Sequence, residues 1–179
     1  MLFRSANRGL LMRPMLVDRL EDREGHVVAK YSPQRVRQII TEPTANLMLK
    51  ALKTVVTPEG TAKGAALEHY TVAGKTGTAQ KIENGVYVNG KYISSFIGFF
   101  PADDPDLCIS IILDEPKQGH YGGLTAGPVF KQVAERAANY LNIKPDIKDD
   151  AEPPTKAGLA ATSDGRAGKS GDAGAAGRP

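Results

Sequence analysis

The sequence predicts an α+β fold, an antiparallel sheet flanked by helices, and three observations carry that prediction. Three β-rich runs, His69 to Gln80, Lys91 to Phe100 and Leu107 to Leu113, follow one another through short connections, which makes neighbouring strands antiparallel. One helical apolar pattern precedes them and a second follows. At 179 residues and 41% hydrophobic, the chain is long enough for one domain with its own core.

Taken in order, the elements rest on local signals. Pro14-Met15-Leu16-Val17 and His26-Val27-Val28 flank the charged turn Glu21-Asp22-Arg23-Glu24-Gly25, a hairpin signal. Val36 to Ile40, with Thr41, Glu42 and Pro43, leads into a helix start, and Leu47, Leu49, Leu52, Val55 and Val56 fall near helical spacing, which predicts a helix over 44–56. The loop Pro58 to Gly64 ends it. Between the second and third strands, Pro101-Ala102-Asp103-Asp104-Pro105-Asp106 cannot continue a ladder and reads as a compact turn. A glycine-rich loop runs from Pro116 to Gly123, where Gly122 and Gly123 allow close packing of the last helix on the sheet. That helix is expected to turn Val129, Phe130, Val133, Ala137 and Leu141 inward and to leave Lys131, Glu135 and Arg136 outside. From Asp146 on, Ile147 and Leu159 are the only sizeable apolar groups, too few to offset ordering entropy. The expected organisation is an unmatched start over 1–5, a globular part over 6–144, and a disordered Gly/Ala/Pro-rich charged tail over 145–179.

Several function classes are excluded on composition. The net charge of +3 comes from scattered lysines and arginines, so a nucleic-acid partner has no support. Cys108 stands inside the apolar run Leu107 to Leu113 and reads as an inert buried thiol; as the one cysteine, it allows no internal disulfide. Asp103, Asp104 and Asp106 lack the ligand spacing of a calcium loop, His120 has no partner at a recognisable spacing, and no cofactor or metal is expected. The sequence carries neither a signal peptide nor an apolar run of about 18 residues.

The run that carries chemistry is Val72-Ala73-Gly74-Lys75-Thr76-Gly77-Thr78-Ala79-Gln80. A phosphate-binding loop would need a glycine where His69 stands and a helix where Gly77 to Gln80 continue as strand. A cation and two hydroxyls around a glycine instead suit a carboxylate, with backbone free to approach it. Alternation would put Lys75 and Gly77 on one face of the strand and Thr76 and Thr78 on the other, so a cleft along the strand's edge is needed for all of them to serve one ligand.

This element resembles the Lys-Thr-Gly motif of the penicillin-recognising serine enzymes, whose other motifs are Ser-x-x-Lys and Ser-x-Asn. The wider resemblance is to class B penicillin-binding proteins, the peptidoglycan D,D-transpeptidases, and leans toward the division type. It is carried by Ala6-Asn7-Arg8-Gly9 with Pro14, Leu16 and Val17; by Gly60-Thr61 with Gly64; by the lysine motif; by Ser95-Phe96-Ile97-Gly98-Phe99 with Pro101; and by Asp114-Glu115-Pro116 with Tyr121-Gly122-Gly123. The resemblance implies a partial penicillin-binding protein/serine β-lactamase-like transpeptidase fold, the C-terminal part of that domain. It implies catalytic roles for Lys75 and Thr78, the latter through its backbone N–H in an oxyanion hole, and substrate binding by Lys75, Thr76, Gly77 and Thr78. The implied partners are peptidoglycan stem peptides, β-lactam antibiotics and other division or elongation proteins. The implied place is the periplasmic face of a bacterial inner membrane, with an N-terminal anchor that this chain lacks. No serine here has a lysine three residues on, and Ser5-Ala6-Asn7 falls inside the Ala-Asn-x-Gly segment rather than at the place of the Ser-x-Asn motif. The nucleophile is therefore expected from outside these residues. A serine β-lactamase or carboxypeptidase, and a non-catalytic penicillin-sensing domain, are the alternatives.

Overall fold

A computed structural model describes residues 5–117 and 119–147; the predicted tail beyond Ile147 lies outside the described residues. A three-stranded antiparallel sheet in the order β5-β6-β7 forms its centre, from β5 (Ala73–Glu83), β6 (Val86–Phe100) and β7 (Leu107–Asp114). Helix α1 (Glu42–Lys53) and helix α2 (Gly122–Leu141) are the helices that flank it.

Period-two alternation along β6 divides the core. Phe96 and Phe100 point to one face, where they pack with Phe130, Ala134 and Ala138 of α2 and with Tyr70 and Val72. Phe99 points to the other, against Ala73, Ala102, and Leu52 and Met48 of α1. The rings of Phe96 and Phe130 meet edge to face at 4.9 Å between centroids. The antiparallel sheet flanked by helices is as the sequence predicted.

The inward face of α2 keeps the predicted Phe130 but turns away from the predicted Val129, Val133 and Leu141. Ala126, Phe130, Ala134 and Ala138 are buried, whereas Val129, Val133 and Leu141 are exposed. The reason is distance. A Cβ on Gly122 would lie 2.2 Å from the Ser95 carbonyl oxygen, and one on Gly123 would lie 1.8 Å from that of Thr61. The helix therefore enters in backbone contact with the sheet, and only small residues and one phenylalanine fit beneath it. The sequence reading of Gly122 and Gly123 as packing glycines agrees with this geometry.

Helix α1 begins at Glu42 rather than 44, because Thr41 caps it by accepting from the Thr44 N–H at 3.4 Å and a proline suits the first turn. Its last predicted turn is a 3₁₀ turn over Thr54–Val56. Leu47 is exposed; Ala45, Met48, Leu49 and Leu52 form the inward stripe.

Three strand assignments change. The predicted hairpin exists, but its first strand is β2 (Arg19–Glu21), paired with β3 (Val27–Lys30), not Pro14 to Val17. Asp22 decides this, since its Oδ1 accepts from the N–H groups of Glu24 (3.0 Å) and His26 (2.8 Å) and closes the turn immediately after Glu21. Residues expected to lead into the helix form β4 (Arg35–Gln38), paired with β1 (Leu10–Met12), a strand too short for periodicity to signal. Finally, the β5–β6 hairpin extends to a two-residue turn, Asn84-Gly85, with φ of 53° and 81°. Near the C-terminal end, the Asp146 carboxylate accepts from the Thr71 N–H and hydroxyl, and Ile147 N–H donates to the His69 carbonyl oxygen, so chain packed on the fold continues past residue 144.

The close approach of α2 gives a prediction. A Cβ on Gly123 would lie 1.8 Å from the Thr61 carbonyl oxygen, so Gly123→Ala should lower stability by about 1–3 kcal/mol through overpacking. A lowered urea denaturation midpoint for the variant checks this, and an unchanged midpoint contradicts it.

Candidate functional site

The site grows from the position of β5 in its sheet. With the order β5-β6-β7, β5 has β6 as its one strand neighbour, and among the described residues no other backbone hydrogen bond reaches Ala73–Glu83. Its register is regular through the motif: Lys75 faces Ile97, Thr76 faces Phe96, Gly77 faces Ser95 and Thr78 faces Ser94. An edge whose outward backbone N–H and C=O groups have no backbone partner among the described residues thus runs past Lys75, Thr76, Gly77 and Thr78.

The side chains divide as parity requires and then converge. Lys75 leaves the strand with the parity of Ala73, on the α1 face, and is exposed. Its stem nonetheless folds back, and Nζ donates to the Thr76 carbonyl oxygen at 2.8 Å and stands 3.4 Å from Thr76 Oγ1. Thr76 Oγ1 is also 3.4 Å from Thr61 Oγ1. Thr78, on the α2 face and exposed, accepts from the Gly122 N–H at 3.3 Å. The structure therefore brings Lys75 and Thr76 into direct contact and sets Thr78 against the first turn of α2. A Cβ on Gly77 would lie 2.5 Å from Ser95 Oγ, a hydroxyl that can rotate away, and 3.9 Å from Ser95 Cβ, so the packing of the sheet alone does not demand glycine there.

The strand is stiffened at both ends. Beneath Gly74, a Cβ would meet the Phe96 ring at 2.5 Å. Beyond the motif, Lys81 Nζ donates to Asp114 Oδ1 and Glu115 Oε1, each at 2.8 Å, tying β5 to the far end of β7 across β6. The bond to Asp114, then that to Glu115, pushes the Lys81 ammonium well above the ordinary lysine range.

The other candidates separate from this site. His120 stacks on Tyr92 at 4.3 Å between ring centroids and packs on Tyr121, a structural role. Asp103 pairs with Lys53 Nζ at 2.6 Å, consistent with a turn rather than a cation site. Among the described residues, Asp22, Glu24 and His26 form the one group with metal-ligand chemistry, and the Asp22 carboxylate is engaged in its own turn. Ser5 is buried. Sequence reasoning missed Thr61 as a neighbour of Thr76, and Ser94, fully buried, whose hydroxyl donates to the His120 carbonyl oxygen. Thr61 belongs to a stretch that the family resemblance marks and Ser94 stands one position before another, but neither carries a periodic or charge signal.

With this geometry in place, comparison with known proteins is informative. The family model described as "Penicillin binding protein transpeptidase domain" matches residues 2–135. The chain belongs to this transpeptidase family. Stage V sporulation protein D of Bacillus subtilis is 38% identical over 143 residues, which is 79% of this chain and 22% of that protein. The probable peptidoglycan D,D-transpeptidase PenA of Neisseria flavescens is 39% identical over 110 residues, 61% of this chain and 28% of the relative. Among solved structures, the transpeptidase domain of Burkholderia pseudomallei penicillin-binding protein 3 superposes with a TM-score of 0.64 at 29% identity, covering 82% of this chain and 42% of that one. Penicillin-binding protein 3 of Mycobacterium tuberculosis, solved with aztreonam, gives 0.69 at 28% identity, covering 79% and 34%. The chain thus spans about a fifth to two fifths of the relatives it matches. Among its described residues no helix is long and apolar enough to cross a membrane.

Cys108 gives a pH prediction for this chain. Burial pushes its thiol above the ordinary range, so the thiolate fraction at neutral pH falls below that of free cysteine. Alkylation by iodoacetamide in the folded chain should be slower than for free cysteine at pH 8 and should rise only at more alkaline pH. A rate equal to free cysteine at pH 8 contradicts the inert assignment.

Proposed function

We propose that this chain forms the substrate-binding edge of a peptidoglycan D,D-transpeptidase, with Lys75, Thr76, Gly77 and Thr78 holding the D-alanyl end of a stem peptide. The observation that carries the proposal is the contact of the Lys75 ammonium with Thr76 at the free edge of β5, with the Thr78 hydroxyl two residues on along the same strand face as Thr76. An extended peptide can pair with that edge while its terminal carboxylate meets the two hydroxyls under the field of the lysine. β-Lactams, which also carry a carboxylate beside an acylating carbonyl, would use the same groups.

Transpeptidation is acyl transfer: a serine hydroxyl attacks the penultimate D-alanine carbonyl, D-alanine leaves, and a neighbouring peptide's amine takes the acyl group. In this proposal the Thr78 backbone N–H stabilises the oxyanion together with the serine's own N–H, and Lys75 favours the negative charge that develops beside it. The serine comes from outside these residues, since none of the serines here has a lysine three residues on. The substrate places the reaction on the extracytoplasmic face of the membrane. The division-type wording Gly74 to Gln80, together with a relative named peptidoglycan D,D-transpeptidase FtsI in Buchnera aphidicola, supports a role in septal wall synthesis beside other division proteins.

The test has two arms. Incubated with a fluorescent penicillin, the 179-residue chain alone should keep its mass unchanged, and a stable acyl adduct on any of its serines would overturn this assignment of roles. Joined to the nucleophile-bearing portion of a relative's transpeptidase domain, it should acylate. In that hybrid Lys75→Ala should lower the acylation rate by about 30- to 1000-fold, equivalent to about 2–4 kcal/mol, and Thr78→Ala, which keeps the backbone N–H, by about 1–2 kcal/mol. Stopped-flow acylation with circular dichroism as the folding control reads both. A folded Lys75→Ala hybrid that acylates like its parent removes Lys75 from the site.

A further inference from the structure

We propose that Ser94 is a positioning residue for the carboxylate-binding hydroxyl of Thr78, acting through the first turn of α2; this rests on the function proposed above. Ser94 and Thr78 are direct partners across the β5–β6 ladder, so their side chains stand side by side on the α2 face. Both are spent on the same short segment of backbone. The Ser94 hydroxyl donates to the His120 carbonyl oxygen, and Thr78 Oγ1 accepts from the Gly122 N–H at 3.3 Å. The entry to α2 is thereby fastened to the sheet by one donor and one acceptor from a single cross-strand pair.

The chemistry of the pair follows from what each hydroxyl has left. Ser94 is completely buried, and its proton is committed to His120, so it offers nothing to a ligand. Thr78 is exposed, and one of its lone pairs is occupied by an amide of the first helical turn, where N–H groups have no intrahelical partner and carry partial positive charge. With that lone pair engaged, the hydroxyl hydrogen is left to point outward, and Thr78 is presented as a donor. A donor suits an ionised carboxylate and gains far less from a neutral ester. Without the Ser94 bond, residues 120–122 keep the Tyr92–His120 ring stack but lose their hydrogen-bonded tether to β6 beside Thr78, which leaves the Gly122 N–H less firmly held against the Thr78 hydroxyl. The Thr78 hydroxyl is then free to turn its lone pairs outward, which removes its preference for an anion.

The proposal is therefore about discrimination, and the experiment compares benzylpenicillin with its methyl ester. The readout is the ratio of second-order acylation rates, acid over ester, in the hybrid described above. The parent should favour the acid, and Thr78→Val should lower the ratio by about tenfold. Ser94→Ala should lower it to a similar extent, although Ser94 cannot itself touch the ligand. A merely structural role for Ser94 would slow acid and ester alike and leave the ratio unchanged, which overturns the proposal. If the parent shows no preference for the acid, or Thr78→Val keeps it, the underlying functional reading fails instead. On the 179-residue chain itself, Ser94→Ala should accelerate hydrogen exchange at the Gly122 amide at least about tenfold while the amides of β6 stay protected; unchanged protection at Gly122 equally overturns the proposal.

Discussion

The backbone contact between the first turn of α2 and the sheet is the constraint on which the rest of this structure depends. Neither Gly122 nor Gly123 can carry a Cβ, because carbonyl oxygens of Ser95, Gly77 and Thr61 occupy that space. This approach lowers α2 onto the sheet, lets Phe130 reach Phe96 and Phe100, and restricts the buried stripe to Ala126, Ala134 and Ala138. The same contact brings the Gly122 amide to Thr78 and the Thr61 loop to Thr76. Core packing and the geometry of the motif are thus two results of one absence of side chains.

The second organising fact is that β5 is an edge. Proteins usually blunt such edges, and here the blunting is partial: Lys75 is exposed along it, and its ammonium folds over the backbone of Thr76. A strand would ordinarily separate Lys75 from the threonines by parity. The long lysine stem overcomes this, since it reaches round the edge to the carbonyl of the next residue. An edge strand is what permits that route, because a central strand would have a neighbour in the way.

Much of this was legible in the sequence, for identifiable reasons. The three long strands and the second helix carry enough β-branched, aromatic or periodic residues to be read directly, and the lysine motif stood out because Gly74 and Gly77 flank a cation and hydroxyl in a strand context. The inward face of α2 was misread because apolar size was taken as the guide, when the close approach favoured alanine over Val129 and Val133. β1 to β4 were displaced or missed because they are three or four residues long and no residue from Leu10 to Gln38 is buried, so alternation has no meaning there. Asn84-Gly85 is a turn signal readable from sequence, and both positions take positive φ. Ser94 could not have been found from sequence, since its importance lies in a carbonyl 26 positions away.

The central claim is that β5 presents a free backbone edge through the Lys-Thr-Gly-Thr motif. Residue-resolved hydrogen exchange over Ala73 to Gln80 tests it most directly, because in an antiparallel edge strand alternate amides face the neighbour and the outside. The account predicts alternating protection with a period of two, every second amide exchanging as if solvent-exposed. Uniform protection along the whole segment would mean that the edge is covered, and would contradict it.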